Sequence, residues 1–246
     1  MGYLLTAPLL APLLLVQGWL VRRRVPQLPE APGARTGTCG SGDDLHVLIV
    51  GDSAAAGVGA PHQEAALAGQ IAQRLSPDYR VQWELAAVTG ATTLSSLRDL
   101  GQRTPQDFDA AVVALGVNDV TSGVSEARWR ARQAELRGLL RSRFRVAHVL
   151  VCGVAPVSRF PALPQPLRWF LGSRATCFSQ VLERDVTTEA DCTFLRLDFS
   201  QDTALMAPDG FHPGPGIYAE WGRRAAAAIH SMRVASTERR TGETVK

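Results

Sequence analysis

The stretch His46-Val47-Leu48-Ile49-Val50-Gly51-Asp52-Ser53 decides the fold. Between His46 and Gly51 the aliphatic residues follow one another with no polar alternation. A strand of this kind buries both of its faces, as strands do in a parallel sheet covered by helices on each side. The glycine that ends the run marks a turn, and the turn presents Asp52 and Ser53 just past the strand's carboxyl end.

The same grammar continues downstream. Further strands are predicted over Val81–Ala87, Ala110–Gly116, Val146–Gly153 and Phe194–Leu197. Helical spacing predicts helices over Gln63–Leu75, Thr93–Leu100, Ser125–Arg143, Leu167–Glu189 and Gly216–Met232, with Ser125 as an N-cap. Strands alternating with helices give a three-layer α/β/α fold around a parallel sheet of about five strands.

Composition agrees with a single sizeable core. The 246 residues are 46% hydrophobic and 20% charged, which excludes general disorder. The net charge of +3 is too small to argue for a nucleic-acid partner. Lys246 is the lone lysine; the other basic residues are arginines, and their densest run, Arg128 to Arg145, is expected to be the solvated face of a helix. Cys39, Cys152, Cys177 and Cys192 form no CxxC pair and have no histidine at zinc-finger spacing. They are expected to be free thiols, with no metal and no cofactor bound.

Residues 1–24 form a distinct segment. Gly2 to Val21 holds no charge, and Arg22-Arg23-Arg24 follows at once. A membrane-associated segment is expected here, spanning or lying in the bilayer, with an apolar arm packed on the domain as the alternative. Positive charge beside an apolar segment stays cytoplasmic, so the following chain is expected on the cytoplasmic side of a bacterial membrane, or free in the cytoplasm. Residues 25–44 are rich in proline and glycine and read as a linker. The globular domain is assigned to 45–235 and a polar tail to 236–246.

In a sheet of this type, ligands bind beyond the carboxyl ends of the strands. The polar residues found there are Ser53 after the first strand, Gly90 after the second, Asn118 after the third, and Asp209 with His212 beyond the fifth. A serine hydroxyl becomes a nucleophile only when a base takes its proton, a role open to His212, with Asp209 orienting the ring. The Ser53 and Gly90 amides and the Asn118 side chain are donors suited to an oxyanion. His62 competes for the base role, whereas His46, His148 and His230 lie away from this edge. Nucleotide-binding loops do not fit. Gly51 and Gly57 lack the lysine of a P-loop, and Gly57-Val58-Gly59 meets His62 where a dinucleotide fingerprint needs its third glycine.

Together, Gly51-Asp52-Ser53, Gly90, Gly116-x-Asn118-Asp119 and Asp209-x-x-His212 resemble the four blocks of the SGNH (GDSL-type) hydrolases, over about His46 to Met232. The resemblance implies a flavodoxin-like SGNH fold, with Ser53 as nucleophile, His212 and Asp209 completing the triad, and Ser53, Gly90 and Asn118 as oxyanion donors. Ala54 departs from the family's pattern, which often has leucine after the serine. Asp52 and Asp119 are read as structural. The apolar segment after the fourth strand, with Phe160, Leu163, Trp169 and Phe170, is the expected acyl-binding wall. The implied activity is cleavage of carboxylic esters of small molecules or lipids. Acyl thioesters, carbohydrate acetyl esters and a non-catalytic binding module are the alternatives.

Overall fold

The computed structural model describes residues 2–198 and 203–243, and the side chains of 8–198 and 203–235. Six strands form one sheet: β1 (Thr36–Cys39), β2 (Asp43–Gly51), β3 (Tyr79–Ala87), β4 (Ala110–Ala114), β5 (His148–Cys152) and β6 (Cys192–Leu195). The helices are α1 (Gly2–Arg24), α2 (Leu67–Leu75), α3 (Thr93–Gln102), α4 (Val117–Thr121), α5 (Glu126–Phe144), α6 (Leu167–Val186) and α7 (Pro215–Glu243). The strand order is β1-β3-β2-β4-β5-β6, parallel throughout except for β1.

The five parallel strands follow the flavodoxin-like order. The chain leaves β2 toward β3 on one side and returns to β4 on the other. The gap between the carboxyl ends of β2 and β4 is therefore the switch point, where a ligand crevice opens.

The continuous apolar reading of β2 is explained by its two packed faces. Leu48 and Val50 join Trp129, Leu136, Leu140 and Phe178 in the layer under α5 and α6. Leu45, Val47 and Ile49 join Leu67, Ile71, Tyr218 and Trp221 in the layer under α2 and α7. β4 divides in the same way, Ala111 and Val113 against Ala110 and Val112. Burying a side chain of this size contributes about 1.5–3 kcal/mol, so β2 is held from both sides.

Several expectations change in detail. The sheet has six strands rather than about five, because the segment expected to be a linker supplies β1. Its four residues are exposed or half-buried and pair antiparallel with β3, from Thr36↔Glu84 to Cys39↔Val81. An edge strand of this kind leaves no apolar pattern to read. The last strand lies at Cys192–Leu195 rather than Phe194–Leu197. The helix expected from Gln63 breaks at Ala66 into a 3-10 turn and α2. The tail expected from residue 236 continues α7 as far as Glu243, and residues 244–246 lie outside the described residues.

The arginine run on α5 is not wholly solvated. Arg137 is 2% exposed and donates to Glu189 at 2.6 Å, and Arg141 binds Asp191 at 2.5 Å and also Glu189. These bonds hold the Glu189 carboxyl down at about 2, against the opposing effect of burial. Ser125 caps α5 as expected, accepting from the Arg128 amide. None of the four cysteines is in a disulfide, and burial pushes the Cys152 thiol up to about 12.

α1 is a continuous helix despite Pro8 and Pro12. It lies against α6: Gln17 Nε2 donates to the Gln165 carbonyl at 2.7 Å, and the Leu167 amide donates to Gln17 Oε1 at 3.0 Å. Leu14 and Val21 pack on the core beside it. Among the described residues, no helix is long and apolar enough to cross a membrane.

Candidate active site

Ser53 sits in the first turn after β2. The Ala56 amide donates to the Asp52 carbonyl at 2.9 Å, and the Val58 amide to the Ser53 carbonyl at 3.0 Å. The run of small residues, Ala54 to Gly57, lets this turn pack tightly under α7, where the Tyr218 hydroxyl donates to the Val58 carbonyl at 2.7 Å.

The chain between β6 and α7 brings Asp209 and His212 to this point. Met206 and Pro213 form a bridge, and the Ala207 amide donates to the His212 carbonyl at 2.9 Å. Asp209 Oδ1 accepts the backbone amides of Phe211 (2.9 Å) and His212 (3.0 Å), which folds the loop around the carboxylate. Its other oxygen, Oδ2, lies 2.6 Å from His212 Nδ1, and His212 Nε2 lies 2.9 Å from Ser53 Oγ. The relay Asp209–His212–Ser53 is thus assembled from residues 159 positions apart at its longest link.

Electrostatics favour these roles. Burial pushes the Asp209 carboxyl up, but the His212 ring and the two amides outweigh it and hold it below the ordinary carboxylate range. An ionised Asp209 accepts from Nδ1–H, which leaves Nε2 to take the serine proton. His62 pairs with Glu64 at the surface, His148 with Thr193, and His230 lies near Tyr79 and Asp78. Among the described residues, His212 is the histidine on the cavity described below.

Asn118 is placed by Gly116, which has φ 141° and caps α4. A Cβ there would also come within 2.8 Å of Val154. The Asn118 amide donates to the Ala91 carbonyl at 3.0 Å and to Asp52 Oδ2 at 3.3 Å, on the wall of the cavity beside Ser53. Gly90 lies on the adjoining exposed turn with φ 82° and is not a cavity wall. Glu30, from the expected linker, holds this turn through the Thr89 amide (2.7 Å) and hydroxyl (2.8 Å). Nothing in the local sequence pattern marks Glu30 for that task. Asp119 is structural: its Oδ2 accepts the amide and hydroxyl of Thr93 at the start of α3.

A cavity of about 110 Å³ opens at Ser53, walled by Val117, Phe160, Met206, Phe211, Ile217 and Trp221 among others. Of the four residues expected in an acyl wall, Phe160 is there, stacked edge-on against Phe211 at 4.9 Å. Leu163, Trp169 and Phe170 are not. Leu163 is buried in the core under α6, Trp169 is 42% exposed on the outside of that helix, and Phe170 lies beyond the cavity walls. Helix α6 starts too soon after Phe160 for residues farther along to turn back to the site. Met206 and Ile217 flank the Asp/His block in sequence and Phe211 lies within it, which is the signal that finds them.

Asp52 accepts the Ala54 amide at 3.0 Å and the Asn118 amide, and is fully buried. Burial pushes its carboxyl up from 3.8 to about 7, and the nearby Asp119 charge adds to the rise. The folded chain therefore holds a proton that the unfolded chain releases between about pH 4 and pH 7. The stability this group contributes is full below that window and is lost as the pH rises through it. Asp52→Asn, neutral at every pH, is expected to gain stability relative to the parent between about pH 5 and pH 8, by a few kcal/mol at most. Thermal melts across that range check this: the difference in favour of the variant should grow as the pH rises from about 4 to about 7.

Comparison with known proteins places the chain. The sequence model of the GDSL-like Lipase/Acylhydrolase family matches residues 49–220, and the chain belongs to that family. It is 30% identical over 189 residues to "GDSL-like esterase Rv1075c" of Mycobacterium tuberculosis, covering 72% of this chain. The match spans 59% of the length of that curated relative. A carbohydrate esterase family 2 enzyme with a carbohydrate binding domain, from Corynascus thermopiles (Myceliophthora fergusii), is similar in structure. Its TM-score is 0.60 at 16% identity, covering 84% of this chain and 68% of that one. The psychrotrophic esterase EstA from Pseudoalteromonas sp. is also similar, with a TM-score of 0.52 at 17% identity, covering 80% and 98%. At these identities the structural likeness establishes the fold, the three-layer architecture of SGNH hydrolases.

Proposed function

We propose that the protein hydrolyses carboxylic esters through an acyl-enzyme on Ser53. The observation that carries this reading is the Ser53–His212–Asp209 relay at the mouth of an apolar cavity. Ser53 Oγ attacks the ester carbonyl as His212 Nε2 takes its proton, and the carbonyl electron pair moves onto oxygen. The tetrahedral species collapses, and the alcohol leaves with the proton from His212. Water then attacks the acyl group, gives a proton to His212, and Ser53 recovers that proton as the carboxylic acid departs.

The oxyanion is received by the Ser53 amide, the Gly90 amide and the side chain of Asn118. Asn118 gives up the longer of its two bonds, the one to Asp52, to donate to it. Such a donor acts mainly in the transition state, so Asn118→Ala is expected to lower kcat by about 10²–10³ with little change in KM. Steady-state kinetics on a soluble ester check this. A rise in KM alone would make Asn118 a substrate-binding residue instead.

The cavity sets the acyl group. Its walls are mostly apolar, and its volume of about 110 Å³ is smaller than the ~150 Å³ that holds a benzene in an engineered protein cavity. A short acyl chain fits such a space, and a longer one extends through the mouth. A chain-length series of p-nitrophenyl esters, run beside matching acyl thioesters, tests the reading. The expected optimum is short, with esters cleaved. Preference for thioesters at every length, or no turnover of either, would contradict it.

A further inference from the structure

The outer face of α1 is apolar and uncovered. Leu9, Leu13, Leu15, Val16 and Trp19 are between 46% and 86% exposed. They are five of the nine large hydrophobic residues exposed among the described residues. Leu9, Leu13, Val16 and Trp19 follow helical spacing along one face. The opposite face, with Leu14, Gln17 and Val21, is the one docked on α6 and the core. A helix apolar all round is normally buried all round. Here the described residues cover one side only.

The charge at the end of this face points to its occupant. Arg22, Arg23 and Arg24 are exposed in the last turn, and α1 carries no acidic residue. The Arg23 guanidinium sits 4.0 Å over the Trp19 ring, an arrangement that keeps the aromatic and the charge at one level. The exposed leucines, Val16 and Trp19 offer apolar area to acyl chains, and the arginines at the end of the same helix offer charge to anionic headgroups. A second copy of the chain fits less well. Side by side, two such helices bring arginines together; antiparallel, they set arginines on leucines, with no carboxylate in the helix to pair them.

We infer that α1 seats the protein on an anionic lipid surface, lying in its plane, independently of the ester-hydrolysis reading. The helix lies in the plane because Gln17 fixes its inner face to Gln165 and Leu167, which leaves only the outer face for lipid. The same contact sets the site beside the membrane. Gln165 ends the loop that carries Pro156, Arg159 and Phe160 on the cavity wall. That loop in turn holds the catalytic one, through the Ala162 amide on the Gly210 carbonyl at 3.2 Å.

The test is flotation of the full chain with vesicles of phosphatidylcholine alone and of phosphatidylcholine with phosphatidylglycerol. The full chain is expected to float with the anionic vesicles. Val16→Ser with Trp19→Ser should lose this binding, and Arg22→Ser with Arg24→Ser should weaken it by roughly tenfold or more. Hydrolysis of a water-soluble short ester should be unchanged in both double variants, which shows that they fold and keeps this outcome separate from the catalytic reading. Failure to float, or equal binding to neutral vesicles, would overturn the assignment. So would a dimer in sedimentation that Val16→Ser with Trp19→Ser dissociates while vesicle binding is absent.

Discussion

Replacing Ser53 by alanine is expected to lower kcat/KM for a short ester by about 10⁴ or more, while leaving the fold intact. The hydroxyl's bond in the structure is to His212 Nε2, and the turn around it is held by backbone bonds that alanine keeps. Alanine also continues the run of small side chains from Ala54 to Ala56. The melting temperature should therefore move by no more than about 3 °C. Kinetics and melts on the same preparation check both halves. A loss of less than tenfold would place the nucleophile elsewhere.

Asp209→Asn is expected to cost about 10⁴ in kcat. The carboxylate uses one oxygen for the loop and the other for the imidazole. An asparagine oxygen still accepts the Phe211 and His212 amides, so the loop survives. The amide NH₂ then faces Nδ1 where an acceptor stood. Nδ1 must lose its hydrogen to accept, and Nε2 then carries it, which is the wrong tautomer for a base. The loss should appear in kcat with KM little changed, measured on the same ester. A loss of only a few-fold would mean that Asp209 holds the loop and nothing more.

The parts of the fold legible in the sequence are those set by burial on both faces. The Val47–Val50 run reads as a central strand, and β4 and β5 declare themselves in the same way. What was illegible depended on partners far along the chain. β1 is exposed or half-buried and exists because the edge of β3 is there to pair with it. Arg137 looks like a surface charge until Glu189 arrives on its face of α5.

The site divides along the same line. Ser53, Asn118, Asp209 and His212 could be found because the carboxyl edge of a parallel sheet is where chain turns and polar side chains converge. The cavity wall was legible only at Phe160. Leu163 and Trp169 lie on the same apolar segment, but whether a residue faces the cavity, the core or solvent is fixed by the angle at which α6 leaves the loop. Glu30 was hidden for another reason. It acts through one carboxylate on the Thr89 turn, and a single acidic residue in a proline-rich stretch carries no pattern.

Activation of Ser53 by His212 carries the proposed hydrolysis. It is tested most directly by labelling the full chain with a fluorophosphonate and locating the adduct by peptide mass spectrometry. One adduct per chain is expected, on the peptide carrying Ser53, absent from Ser53→Ala and strongly slowed in His212→Ala. Labelling of a different serine, or labelling of Ser53 that proceeds equally fast without His212, would contradict it.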